Sequence, residues 1–210
     1  MIAILDYGMG NLRSVEKALA HVGVDSVRTA DHEVIRSAQG VILPGVGAFR
    51  RAMEKVRERG FDELLPELLD RGMPLLGLCL GMQLLFEEST ELGGAEGLGL
   101  LKGQVRPLDS PGLKVPQIGW NPVKWREDPE DDAQLNYGLP NPTPMYHVHS
   151  FAAIPADEDD IVGTADYGTE FVTAVQNYRV AGVQFHPEKS GPAGLRLLHN
   201  WATPVEAIAV

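Results

Sequence analysis

The chain has 210 residues, 18 Lys plus Arg against 29 Asp plus Glu, a formal net charge of −11 and a single cysteine. That length suits one domain, residues 1–210, burying roughly 70% of its unfolded surface, and 44% hydrophobic with 22% charged residues is ordinary for a soluble folded protein. The lone Cys79 excludes an internal disulfide and any Cys-x-x-Cys zinc pair, and the acidic balance argues against nucleic acid, whose phosphates need Lys and Arg to displace counterions.

In chain order, Ile2 to Leu5 reads as a buried strand, followed by the turn Tyr7-Gly8-Met9-Gly10-Asn11. Met1 to Asp6 has no basic leader region, so no targeting signal is read. Leu12, Val15, Leu19 and Val22 recur on one helical face, and Gly23 stops that helix. Further strands are predicted at Ser26–Thr29, Val41–Leu43 and Pro74–Leu78, with helices over Phe49–Arg59 and Phe61–Arg71. Continuous apolar strands alternating with helices indicate a parallel sheet covered on both faces. The longest nearly apolar run, Pro74 to Phe86, is too short to cross a bilayer. No membrane is therefore expected, and a cytoplasmic location with a reduced thiol is the default.

After Glu91 the texture changes, with glycines at 93, 94, 97 and 99 marking an irregular loop. Lys102 to Asp166 carries short strand-like runs and predicts an additional antiparallel portion in the second half. Within it, the acidic segments Glu127–Asp132 and Asp157–Asp160 read as solvated loops. Phe171–Gln176 and Val180–Phe185 read as the last strands, and Leu195, Leu198 and Trp201 mark a closing helix. The expected class is α/β, with a doubly wound, mostly parallel sheet.

Gly77-Leu78-Cys79-Leu80-Gly81 ends the fourth strand and opens a helix in the Gly-x-nucleophile-x-Gly pattern. Such a turn strains the nucleophile's backbone and requires small residues two positions to either side. It also brings the positive end of a helix to the sulfur, and the Leu80 N–H would face a developing oxyanion. An isolated cysteine is more often a buried structural residue. Two glycines at this spacing on a strand–turn–helix favour the nucleophile.

A cysteine nucleophile wants a base and a group that orients the base. His186-Pro187-Glu188 directly follows Val183-Gln184-Phe185. In an extended segment residues i and i+2 project to one side, so His186 and Glu188 could reach one point, with some bending for a linear triad. Pro187 disfavours helix at His186 and helps keep the segment extended. Leu43-Pro44-Gly45-Val46-Gly47 offers glycines that could turn amides toward the site as a second oxyanion donor. A plain strand-to-helix turn is the open alternative. His147-x-His149 places two imidazoles on one strand face, yet no further Asp, Glu or His completes a metal site, so no metal is expected. Gly8-Met9-Gly10 has Arg13 where a dinucleotide loop needs its third glycine, and the papain-type Cys-Gly-x-Cys-Trp signature is missing.

Together, Gly77-x-Cys79-x-Gly81-x-Gln83 and His186-Pro187-Glu188 resemble the motifs of the triad-type (class I) glutamine amidotransferases, whose fold is flavodoxin-like. Asp6 to Leu12, Leu43 to Gly47, Gly119-Trp120-Asn121, Tyr146 to Phe151 and His186 to Ser190 extend the resemblance, from Ile4 to Trp201, toward the glutaminase subunits that serve imidazole glycerol phosphate synthases. The resemblance implies Cys79 as nucleophile, His186 as general base and acid, and Glu188 as the residue orienting His186. It implies amides of Gly45, Val46 and Leu80 as the oxyanion hole, and Gly47, Gln83, Ser150 and Phe151 as glutamine contacts. Asn11, Trp120, Tyr146 and Lys189 match positions facing a partner. That partner is implied to be a (βα)8-barrel cyclase subunit, which receives ammonia in a heterodimer of histidine biosynthesis; no cofactor is implied. Independently, 210 residues leave little room to transform an ammonia acceptor, so such a chain should work docked on another protein. Gln117 departs from the pattern, standing where a histidine is expected before Gly-Trp-Asn. A different glutaminase subunit, such as that of pyridoxal phosphate synthase, and a non-catalytic regulatory subunit of the same fold remain the alternatives.

Overall fold

A computed structural model describes residues 1–126 and 135–207, with side chains up to residue 203 of the closing helix. The acidic segment Glu127–Asp132 lies outside the described residues. The apolar runs of the first half become β1 (Ile2–Leu5), β2 (Ser26–Thr29), β3 (Gly40–Gly45) and β4 (Leu75–Cys79). Between them lie α1 (Leu12–His21), α2 (His32–Arg36), α3 (Phe49–Glu58) and α4 (Phe61–Asp70), and α5 (Leu80–Leu84) follows β4 directly. The short β5 (Glu88–Ser89) and β6 (Ala95–Glu96) precede β7 (Gly103–Pro107), β8 (Gln117–Trp125), β9 (Thr143–His149) and β10 (Phe151–Pro155). β11 (Ile161–Asp166), β12 (Glu170–Asn177), β13 (Val180–Val183) and α6 (Gly191–Ala207) complete the described chain.

β1, β3 and β4 are buried at every residue. Their backbone groups can be satisfied only by neighbouring strands, which makes them the centre of a parallel array ordered β2-β1-β3-β4-β13. Alternate side chains serve two cores. Ile2 and Ile4 pack with Val15 and Leu19 of α1 and with Leu197, Leu198 and Trp201 of α6. Ala3 and Leu5 pack on the opposite face with Phe49 and Met53 of α3, Leu64 and Leu68 of α4, and Leu80 and Met82 of α5. This two-sided burial is why the strands read as unbroken hydrophobic runs. α2 was not anticipated: at five residues it is too short for periodicity, and it is set by the Asp31 side chain accepting from Glu33 N–H at 2.9 Å.

Beyond β13 the sheet turns antiparallel through β12, β10 and β7, while β11 links β12 to the β8–β9 pair. The antiparallel portion expected in the second half is this region. Asp157–Asp160 departs from the expected solvated loop. Its last three residues form a single 3-10 turn, and Asp160 is buried, accepting from Asn177 Nδ2 at 2.7 Å. Among the described residues no helix is long and apolar enough to cross a membrane. The carboxyl ends of β3, β4 and β13 adjoin one another, the usual place for a site in an open α/β sheet.

Candidate active site

β4 delivers Cys79 at φ 55° and ψ −111°, a conformation that costs a non-glycine residue about 1–3 kcal/mol and persists only when its surroundings hold it. The turn closes so tightly that a Cβ on Gly81 would stand 1.8 Å from the Leu43 carbonyl oxygen, and one on Gly77 2.7 Å from the Gly81 carbonyl oxygen. The small residues expected on both sides of the nucleophile are therefore imposed by backbone atoms, which cannot move aside. Leu80 opens α5, so its N–H has no acceptor within the helix.

β13 runs parallel to β4 with Val183 opposite Leu78, and the chain leaving it brings His186 beside Cys79. His186 N–H donates to the Tyr146 carbonyl at 2.9 Å, and Ser190 Oγ–H donates to the His186 carbonyl at 2.7 Å. The segment does not stay extended as far as Glu188. Pro187–Lys189 coils into a 3-10 turn, and this bend carries the Glu188 carboxylate to 2.9 Å from His186 Nδ1. Both side chains are buried, at 6% and 2% exposure, and Glu188 Oε2 has no protein partner. Burial opposes the imidazolium, but hydrogen bonds to Cys79 and Glu188 and their negative charge outweigh it, so the His186 pKa is pushed up to about 9. His186 thus holds a proton at neutral pH, with Nδ1 turned to Glu188 and Nε2 left for the sulfur.

Cys79, His186, Val46, Gly47, Leu80, Gln83, Ser150 and Phe151 border one pocket, and Lys189 stands at its edge. Gly45 is not on that wall. It lies under the elbow, paired with Cys79 across β3 and β4, where the Tyr7 hydroxyl donates to the neighbouring Pro44 carbonyl at 2.6 Å. Burial, aided by nearby Cys79, pushes the Tyr7 phenol well above its usual range. Trp120 is 58% exposed and meets Tyr146 edge-on across the β8–β9 pair, with ring centroids 6.0 Å apart. Tyr146 in turn bonds His186, which links these two rings to the pocket. Asn11 is exposed at the start of α1, where its side chain caps nothing.

The sequence does not announce three further residues of the site: Glu91 and His149, which border the pocket, and Gln184, buried behind it. Gln184 is fully buried, with Nε2 3.8 Å from Cys79 Sγ and Oε1 accepting from Gln83 Nε2 at 2.9 Å. Its signal was the same i, i+2 rule, applied backward from His186. Glu91 caps α3 from 42 residues away, accepting from Phe49 N–H at 2.6 Å, and no local pattern announces that. His149 was weighed only as a metal ligand. Its Nδ1 lies 2.8 Å from the Phe151 carbonyl oxygen and its Nε2 2.8 Å from Gln117 Oε1; a neutral ring donates to only one of them, so both contacts are satisfied when the Gln117 amide is turned over to present its nitrogen. Gln117, the departure from the expected histidine, thus completes a buried polar pair. His147 is spent on Met145 and Thr173, at 3.0 and 2.7 Å. Burial holds both rings neutral, with pKa values pushed down to about 3 for His147 and about 4 for His149.

The family model for class-I glutamine amidotransferases matches residues 3–204. The chain belongs to that family. It is 50% identical over 208 residues, covering 99% of this chain and 96% of the other, to a protein of Bacillus cereus (strain G9842) named imidazole glycerol phosphate synthase subunit HisH. Proteins of the same name from Moorella thermoacetica and Dehalococcoides mccartyi are 48% and 46% identical, covering 95% and 96% of this chain and 93% and 96% of theirs. Within the amidotransferases the chain is therefore of the HisH type. A solved glutamine amidotransferase superposes with a TM-score of 0.75 at 19% identity, covering 98% of both chains. A PurLQS structure from Thermotoga maritima gives 0.74 at 21%, covering 97% and 98%. These two share the fold.

Proposed function

We propose that residues 1–210 act as one glutaminase domain that feeds ammonia to a (βα)8-barrel cyclase subunit of imidazole glycerol phosphate synthase. The Cys79 sulfur attacks the side-chain carbonyl of glutamine, and His186 gives its proton to the departing ammonia. Water activated by the same imidazole then hydrolyses the γ-glutamyl thioester to glutamate. Glu188 keeps the ring oriented through Nδ1. Amides of Leu80 and Val46, which border the pocket as Gly45 does not, serve the oxyanion, where one donor is worth about 10²–10³ in rate. Gly47, Gln83, Ser150 and Phe151 hold the substrate. The ammonia is used to form imidazole glycerol phosphate and an aminoimidazole carboxamide ribotide.

One observation carries this reading: a strained cysteine and a buried, proton-bearing His186–Glu188 pair meet at the ends of two adjacent parallel strands. The docked arrangement is supported by the exposed Ile118 and Trp120, at 63% and 58%, beside Tyr146, and by Lys189 at the pocket edge. Asn11 is proposed to join them at that interface. The test is a glutaminase assay of the chain alone and with the candidate cyclase and its ligand. Activity that rises in the complex and vanishes in Cys79→Ala is expected. Glutamine hydrolysis that survives Cys79→Ala would sink the proposal.

A further inference from the structure

We propose that Gln184 is a further catalytic residue of this pocket, its side-chain amide donating a hydrogen bond to the Cys79 sulfur. The inference rests on the reading of Cys79 as nucleophile. A side-chain amide with no exposure to solvent must find partners for both its ends inside the protein. Gln184 Oε1 accepts from Gln83 Nε2 at 2.9 Å, and Gln184 Nε2 points to Cys79 Sγ at 3.8 Å, within reach of a hydrogen bond to the large sulfur atom. The residue is held from behind, its own N–H donating to the Thr173 carbonyl at 2.8 Å. Two residues later the same extended run presents His186 to the same sulfur, while Phe185 between them turns into the α1–α6 core.

The partners of the sulfur pull in opposite directions. The Val148 carbonyl, 3.8 Å away, can only accept and so favours the neutral thiol. An amide N–H can only donate to the sulfur, and it holds an anion there better than a thiol or a thioester. Gln184 therefore steadies the negative sulfur as it attacks. It also eases thioester hydrolysis, in which the carbon–sulfur bond breaks and its electron pair leaves on sulfur. The titratable groups acting on that atom are His186, with Glu188 behind it, and Tyr7.

Because the chain has a single cysteine, iodoacetamide uptake, with loss of iodide, reports on Cys79 alone. Gln184→Met keeps the shape and removes the donor. It is expected to alkylate about tenfold more slowly at pH 7, with a similar fall in kcat measured in the presence of the cyclase. Parental alkylation in Gln184→Met overturns the inference. If Gln184→Met loses cooperative melting, the parent decides. In ¹⁵N-labelled protein the Gln184 side-chain N–H should move downfield as Cys79 ionises and move back upfield once the sulfur is alkylated. A resonance indifferent to both overturns it. Alkylation of the parent that leaves glutaminase activity intact would instead remove Cys79 as nucleophile, and the functional reading with it.

Discussion

Two strand ends meet in the pocket, and they are built on different principles. At the end of β4 the cysteine is framed by glycines two positions to either side, which let the turn close on its own backbone and against the Leu43 carbonyl of β3. At the end of β13 the histidine is shaped by partners on other strands together with the turn that follows it. Tyr146 anchors its N–H, Thr173 anchors Gln184, and the turn at Pro187–Lys189 aims Glu188. A strained residue at a strand end is best specified by its glycine frame, where two missing side chains remove the clashes. A base that must be aimed needs contacts from outside its own strand, because a free extended segment has no fixed direction.

Each half of that contrast can be broken separately. Cys79→Ala should remove glutaminase activity to background in a full-length, folded chain, checked by ammonia release alongside circular dichroism. Gly81→Ala should be the most destructive change for folding, because its Cβ would drive into the Leu43 carbonyl of the next strand. A loss above about 4 kcal/mol, or failure to accumulate folded protein, is expected in denaturant unfolding, since backbone on both sides leaves overpacking no relief. On the other strand end, Glu188→Gln should leave the fold in place and lower kcat by about 10² or more, because the amide no longer stabilises the protonated ring. It should also move the titration of His186 downward, which ¹⁵N-edited NMR of the imidazole would show.

The antiparallel wall has its own point of failure. Unfolded, His147 and His149 bind protons below about pH 6.5; folded, they stay neutral down to about 3 and about 4. Stability is therefore complete above pH 6.5 and falls as pH drops toward those values, by about 2 kcal/mol per ring at pH 5. Urea unfolding across pH 7 to 5 measures this, and His147→Gln should flatten the dependence. The smallest effect is expected for Ser190→Ala, which removes the bond to the His186 carbonyl and the one accepted from Tyr146 N–H at 3.0 Å. It should cost about 1–2 kcal/mol and slow glutamine hydrolysis about tenfold, with little change in KM.

Much of the fold was legible because burial leaves a periodic record. β1, β3 and β4 announce themselves as unbroken apolar runs, and α1 through Leu12, Val15 and Leu19. α2 leaves no such record, being defined by one Asp31 cap, and in sequence nothing separates Asp160, which pairs with Asn177, from its exposed acidic neighbours. In the site, Cys79 was readable from its glycine frame and His186 from its motif. Gln184 was passed over because it sits in what reads as ordinary strand, and Glu91 because its partner is on another element.

By itself the sequence determined the parallel core, the strained turn at Cys79 and the family motifs, all of which depend on residues within a few positions of one another. Tertiary structure decided the rest: the bend that brings Glu188 to His186, the neutral His147 and His149, the pairing of Gln117 with His149, and the amide of Gln184 at the sulfur. Those features depend on which donors and acceptors are left unpaired when the strands come together. Only the assembled sheet, where burial forces each polar group to find a partner, settles that question.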